Sequence, residues 1–153
     1  MTILAGPFKR SIISRIQSLD LADPADPTDE VMVVPALTGE PGLKTVFGGR
    51  TTWVQRDVLA ERNVAFEQTI TFEVRVRVVA PGGEVDDAER EAERILSAVT
   101  SGVLANPDLT GGRGRLVPSS GDADPVVATP DPDPQVIVNV GVVFTATLSM
   151  VGV

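Results

Sequence analysis

Two stretches of the chain alternate strictly between apolar and polar positions. In the first, Phe66, Gln68, Ile70, Phe72, Val74, Val76 and Val78 share one face, and only Gln68 breaks its apolar character. Glu67, Thr69, Thr71, Glu73, Arg75 and Arg77 share the other face. In the second, from Pro134 to Val153, the even positions Val136, Val138, Val140, Val142, Phe144, Ala146, Leu148 and Met150 are apolar. The odd positions mix Ile137, Asn139, Gly141, Val143, Thr145, Thr147 and Ser149. Period two with β-branched enrichment predicts two long strands, each with one face on a core and one toward water or a partner. The second stretch has no charge and is long enough to span a bilayer, but its parity and polar residues speak for a strand and against a membrane anchor.

Between these strands the period changes. Ala88, Ala92, Ile95, Val99 and Val103 form a helical stripe, widened by Leu96, which predicts a helix over about Asp87–Ala105. Asp86 is the expected N-cap with Glu89 three residues on, and acids at 86, 87, 89, 91 and 93 crowd the positive end of the helix dipole. Pro107 stops the helix. A shorter helix is predicted over about Pro7–Leu19 from Phe8, Ile12, Ile16 and Leu19, with Ile13 beside them. Its Lys9, Arg10 and Arg15 form the only locally basic segment, read as a solvated face with a phosphate contact as the rival.

Three short strands complete the pattern: Val31–Val34, Leu43–Phe47 and Thr51–Arg56. The last two flank Gly48-Gly49, a hairpin-type turn signal. Leu116-Val117 is expected to pair briefly with the sheet. Residues 20–30 and 118–135 read as flexible acidic, Pro-rich loops; the second holds five prolines, four aspartates and no basic residue. The predicted fold class is α+β in a single domain over 1–153. A mainly antiparallel β-sheet carries the long α-helix on one face, with the short N-terminal helix besides, as a two-layer sandwich. The second face of the sheet stays uncovered unless the first helix or another chain covers it.

Composition narrows the function. There are 13 Lys+Arg against 21 Asp+Glu, a net charge of −8, which argues against a broadly basic nucleic-acid-binding surface. The chain has no cysteine, histidine or tyrosine, so disulfides, thiolate metal sites, and Ser-His-Asp and Cys-His machinery are out. Met1–Lys9 is too short and too weakly apolar for a secretory signal. Gly111-Gly112-Arg113-Gly114-Arg115 matches neither a P-loop nor a dinucleotide fingerprint. Asp122, Asp124, Asp131 and Asp133 offer hard oxygen ligands but lack the spacing, central glycine and closing glutamate of a calcium loop. No catalytic residue, metal or cofactor is expected. Trp53, the only tryptophan, reads as a core-edge residue with an intermolecular contact as its rival. Candidate protein-interface residues are Trp53, the outward Arg75 and Arg77, and the loop acids Asp122, Asp124, Asp131 and Asp133.

The order of segments carries a resemblance. Phe66-Glu-Gln-Thr-Ile-Thr-Phe-Glu-Val-Arg-Val-Arg-Val-Val79 leads through Pro81-Gly-Gly83 into Asp86-Asp-Ala-Glu-Arg-Glu-Ala-Glu-Arg-Ile-Leu-Ser-Ala-Val99. Leu104-Ala-Asn-Pro-Asp-Leu109, an acidic loop and a Val/Thr-rich closing strand follow. Over about residues 64 to 150 this resembles the tail terminator proteins of siphovirus-type phages, especially those of actinobacterial hosts. In that family a strand, a D-A-E-R-x-A helix, an N/D-P-x-L exit and a long last strand recur. The resemblance implies a non-enzymatic virion protein of the tail and neck, assembled in the host cytoplasm. It implies a cyclic homo-oligomer, usually a hexamer, that caps the tail tube, stops its growth and meets a head-completion or connector protein. DNA would pass through the lumen without sequence-specific binding, and no membrane is involved. A head-completion or stopper ring is the nearest alternative; a small ligand-binding α+β domain is the alternative from another class.

Overall fold

A computed structural model describes residues 5–37, 42–60, 63–81, 84–105, 117–123, 127–128 and 135–151. The element order is α1 (Ala5–Gln17), β1 (Met32–Val34), β2 (Lys44–Ala60), β3 (Asn63–Pro81), α2 (Val85–Leu104), β4 (Val117–Ala123), β5 (Val127–Ala128) and β6 (Gln135–Val151). The strands form one sheet in the order β1-β2-β3-β6-β4, and β5 also pairs with β6. Every pairing is antiparallel except the short parallel one between β1 and β2. The long helix packs on the sheet, and the α+β reading holds.

The registers explain the layering. Phe72 lies opposite Phe144 and Val76 opposite Val140, so the even positions of β3 and β6 line the same face. On that face Ile70, Phe72, Val74 and Val76 of β3 and Phe144 of β6 are fully buried. They meet the helical stripe of α2, where Ala92, Ile95, Val99 and Val103 are fully buried too. Gln68, the polar exception on that face, is 2% exposed. Its amide Nε2 donates to Gln55 Oε1 across the β2–β3 pair at 3.0 Å, which offsets the cost of burying it.

The first helix joins the same layer. Phe8, Ile12, Ile13 and Ile16 enter the one hydrophobic core shared by α2, β2, β3 and β6. Lys9 Nζ sits 5.9 Å from the Phe72 ring centroid, within cation–π range. Both helices therefore cover the inner face, and α1 leaves the outer face open.

Four expectations are corrected. The two short strands around Gly48-Gly49 are one strand, β2, and the glycines form a bulge where the register shifts between Gly48 and Thr51. A Cβ on Gly48 would come 2.5 Å from the Pro35 carbonyl oxygen and 3.0 Å from the Phe72 ring, and one on Gly49 would overlap the Glu73 carboxylate. Glycine is thus needed for close approach and not for a chain reversal. The segment 118–135, read as a loop, contributes residues 118–123 to β4 and 127–128 to β5. Its proline and acid are tolerated because β4 is an edge strand.

Residues 20–30 are turns, as read, but they are tied down rather than flexible. Leu21 is in the core, Asp23 N–H donates to Asp29 Oδ2 at 2.7 Å, and Asp26 Oδ1 accepts from Thr28 N–H at 2.9 Å. The α2 N-cap is Glu84 and not Asp86: the helix starts at Val85, Ala88 N–H bonds to the Glu84 carbonyl, and Glu84 makes no side-chain cap bond.

Candidate functional site

The open outer face of the sheet is where most of the described candidate residues lie. It is built by odd positions of β3 and β6 and their partners in β2 and β4. Arg75 stands opposite Gly141 of β6, which in turn stands opposite Asp122 of β4. The missing side chain at Gly141 lets the Arg75 guanidinium lie across β6. Its Nη1 donates to Asp122 Oδ1 at 2.9 Å, and its Nε donates to Asn139 Oδ1 at 2.9 Å. Glu73 Oε2 lies 3.5 Å from the same Nη1. Three strands are thereby linked through one side chain whose residue is only 9% exposed. Such a multiply bonded guanidinium is fixed in direction, since its planar fork allows few alternatives.

Arg77 is half-buried, two positions along the same face, opposite Asn139 and Thr45. Among the described residues no carboxylate lies within ion-pair distance of it. Farther along the face, Thr52 and Thr71 pair hydroxyl to hydroxyl, and Thr69 meets Thr147 at 3.2 Å. Arg56 Nη2 reaches Glu67 Oε2 at 3.0 Å. The face is mixed: Thr52, Val54, Thr69 and Thr147 are exposed, Thr45, Phe47 and Arg75 are buried, and Phe47, Val54, Ile137 and Val143 interrupt its polar groups.

Trp53 does not belong to this face. It stands opposite Ile70 on the inner side, 37% exposed, while its neighbour Val54 on the outer side is 69% exposed. The structure thus joins Arg75 with Asp122, sets Arg77 beside them, and leaves Trp53 apart. Asp124, Asp131 and Asp133 lie outside the described residues.

A second polar cluster escaped the sequence reading. Lys44, on the inner side of β2, donates to Asp29 Oδ1 and to Glu91 Oε1, the latter at 3.0 Å. Arg94 Nε donates to Glu91 Oε2 at 3.0 Å, and its Nη2 donates to the Leu21 carbonyl at 3.1 Å. Burial pushes the Asp29 carboxyl up, but the bonds from Lys44 and Asp23 N–H outweigh it and hold it below the ordinary carboxylate value. The Arg94 bond chiefly holds Glu91 down as well. Burial works against the Lys44 charge, yet its two carboxylate partners raise its pKa above the ordinary value. The cluster clips the 20–30 turns and β2 to α2. The sequence carries one partial signal: Lys44 shares the parity of the buried Val46.

Chemically, these arrangements can bind and position. The carboxylates of both clusters are engaged by cations, and among the described residues no group of three or more potential ligands is placed to hold a metal. None of the described helices is long and apolar enough to cross a membrane. The described residues line concavities as well. One of about 500 Å³ lies between α2 and the β4–β6 edge, and one of about 400 Å³ lies under the 20–30 turns. No protein-family model matches the chain, and no curated protein matches it either.

Proposed function

We propose that this chain is a structural virion protein, the terminator of a siphovirus-type phage tail. It forms a ring, most simply a hexamer, that caps the tail tube, stops its elongation and joins it to the head-side connector. The observation that carries this reading is the outer face: a broad sheet surface left uncovered by both helices, on which the Arg75 network and the threonine pairs are held in fixed geometry beside exposed Val54. Surfaces of this kind suit the wet, hydrogen-bonded contacts of subunit interfaces. The resemblance in segment order, from long strand through acidic helix to long closing strand, supports the same reading. The net charge of −8 suits a conduit, because an acidic lumen repels phosphate and lets DNA slide. The protein has no enzymatic role in this scheme and resides in the neck of the virion after assembly in the host cytoplasm.

Native mass spectrometry of the purified chain, alone and with purified tail tubes, tests this. The expected result is a closed ring, alone or on the tube end. A strict monomer under both conditions overturns the proposal and returns the chain to the class of small ligand-binding α+β domains. A ring that binds the head-side connector and ignores the tube assigns it to the head-completion stoppers instead.

A further inference from the structure

We propose that the ring closes by insertion of the Trp53 segment of one copy into the groove between α2 and the β4 edge of the next. This rests on the ring reading above and names the surfaces that make it. At about 3.3 Å per residue the 19 residues of β3 run to roughly 60 Å, whereas the 20 residues of α2 reach about 30 Å. The helix therefore covers only about half of the strand pair, and Thr52, Trp53, Val54, Arg56 and Asp57 of β2 are exposed. Within that stretch an apolar side chain points to each side of the strand: the chain's only tryptophan and Val54.

The groove is the complementary feature. Its volume is about 500 Å³, and Leu96, Ser97 and Ser101 of α2 face Ser120 and Gly121 of β4 and Val142 of β6 across it. It exists because β4 extends the sheet beyond the reach of α2. Hydroxyl side chains and two glycines line it beside Leu96 and Val142, leaving room for an indole, which buries about 150–250 Å² when enclosed.

Charge selects a second copy of this chain as the occupant. At −8 per chain, copies repel, and contact is favoured where that repulsion is absent. Thr51–Gln55 carries no charge, and neither does the groove lining. The flanks are complementary: exposed Arg50 precedes the tryptophan segment, while exposed Glu93 stands one helical turn before Leu96 and Ser97 of the groove. Segment and groove lie on different strands of the sheet, so each copy offers one and receives at the other. Such a heterologous contact closes into a ring when its rotation permits.

The natural absence of cysteine makes the test clean. Val54→Cys and Ser101→Cys both replace exposed residues. Rings made from a mixture of the two single variants, treated with a short bismaleimide, should give a 54–101 cross-linked dimer. The double variant should give a ladder up to the full ring, and neither single variant should cross-link. Trp53 emission should shift to the blue on assembly, and its quenching by acrylamide should fall several-fold. Trp53→Ala should fold with a near-normal melting temperature and lose the ring. Intact rings with no 54–101 cross-link, or with 54–54 cross-links, overturn this contact and leave the ring standing. A chain monomeric with and without tail tubes overturns both.

Discussion

The two faces of the sheet are built on opposite principles. On the inner face, Phe72 and Phe144 stand directly opposite each other, both fully buried, under helices that present Ile12, Ile95 and Val99. Cohesion there is additive and non-directional, proportional to apolar area removed from water. On the outer face, Arg75, Asp122, Asn139 and Glu73 meet through oriented bonds beside rows of threonine. Each such bond adds only about 1–3 kcal/mol net, because water would satisfy the same groups in the unfolded chain. The inner face thus supplies the stability, and the outer face supplies a surface of fixed shape that remains available to a partner. Under the proposed ring, this division lets the chain fold first and assemble later.

The largest expected effect breaks the inner face. Phe72→Ala or Phe144→Ala should cost about 3–5 kcal/mol, since each removes a fully buried ring from a packed layer. Urea denaturation should show one cooperative shift of the midpoint. A loss below about 1 kcal/mol would mean that the helices do not close tightly over this pair.

Next comes the one place where charge enters the inner layer. Lys44→Met leaves Asp29, whose side chain is 5% exposed, with Arg94 Nη2 at 3.8 Å as its remaining cation. Stripping one partner from a half-buried pair should cost about 2 kcal/mol. The sign of the pH dependence follows from the shifts. Asp29 and Glu91 are held below their ordinary values, so they contribute stability above those values and lose it as the pH falls through their folded pKa. Lys44 is raised, so its share holds at neutral pH and is lost as the pH rises through its folded pKa. Wild type should lose stability as the pH falls below about 5 and on through the folded pKa values of the two carboxyls, and Lys44→Met should lose distinctly less. Parallel acid titrations of the two would remove this cluster from the account.

These two regions also show which parts of the molecule the sequence discloses. The even valines of β6 and the stripe of α2 were readable because period two and period 3.6 are local signals written by burial on one face. The bulge at Gly48-Gly49 was not. A glycine pair marks a reversal or a close approach, and only the facing Phe72 and Glu73 of β3 decide between them. Residues 118–123 look like a loop, because Pro, Ser, Gly and Asp are poor strand formers. They are held as a strand by pairing with β6, and Asp122 is fixed by Arg75 at a sequence distance of 47. Arg75 was readable as outward-facing and not as already bonded to Asp122, since that contact depends on the bare backbone of Gly141. Lys44 joins Asp29 and Glu91, one 15 positions before it and the other 47 after it, and no local pattern announces such a cluster.

The outer face yields a smaller and more local effect. Gly141→Val places a Cβ about 2.9 Å from Arg75 Nη1 and 3.0 Å from Asp122 Oδ1, so the guanidinium has to leave its position across β6. The expected cost is about 1–3 kcal/mol, from charged hydrogen bonds broken with partial access to water. It should be unevenly distributed: amide exchange in Val117–Ala123 should accelerate strongly, while the amides of Ile70–Val76 remain nearly as protected as before. Equal loss of protection in both strands would show that the outer knot supports the core as well as the edge, and the division between the faces would fail.

The smallest effect gives the finest test of that division. Thr69→Val removes an exposed hydroxyl that meets Thr147 across β3 and β6, and it leaves a β-branched side chain of the same shape in a strand. The lost bond is worth about 1 kcal/mol at most, and the better strand preference and extra apolar surface offset part of it. Stability of the isolated chain should therefore change by less than about 0.5 kcal/mol. If the threonine rows serve only as a solvated surface, nothing else should change. If they contact a neighbouring subunit, the hydroxyl acquires a partner or a bridging water in the assembly, and its removal there leaves that group unpaired. The expected result is an unchanged melting temperature for the dissociated chain and a measurably lower midpoint for ring dissociation in native mass spectrometry. A matched fall in both midpoints would make the threonine a fold residue, and no change in either would exclude the Thr69–Thr147 row from the interface.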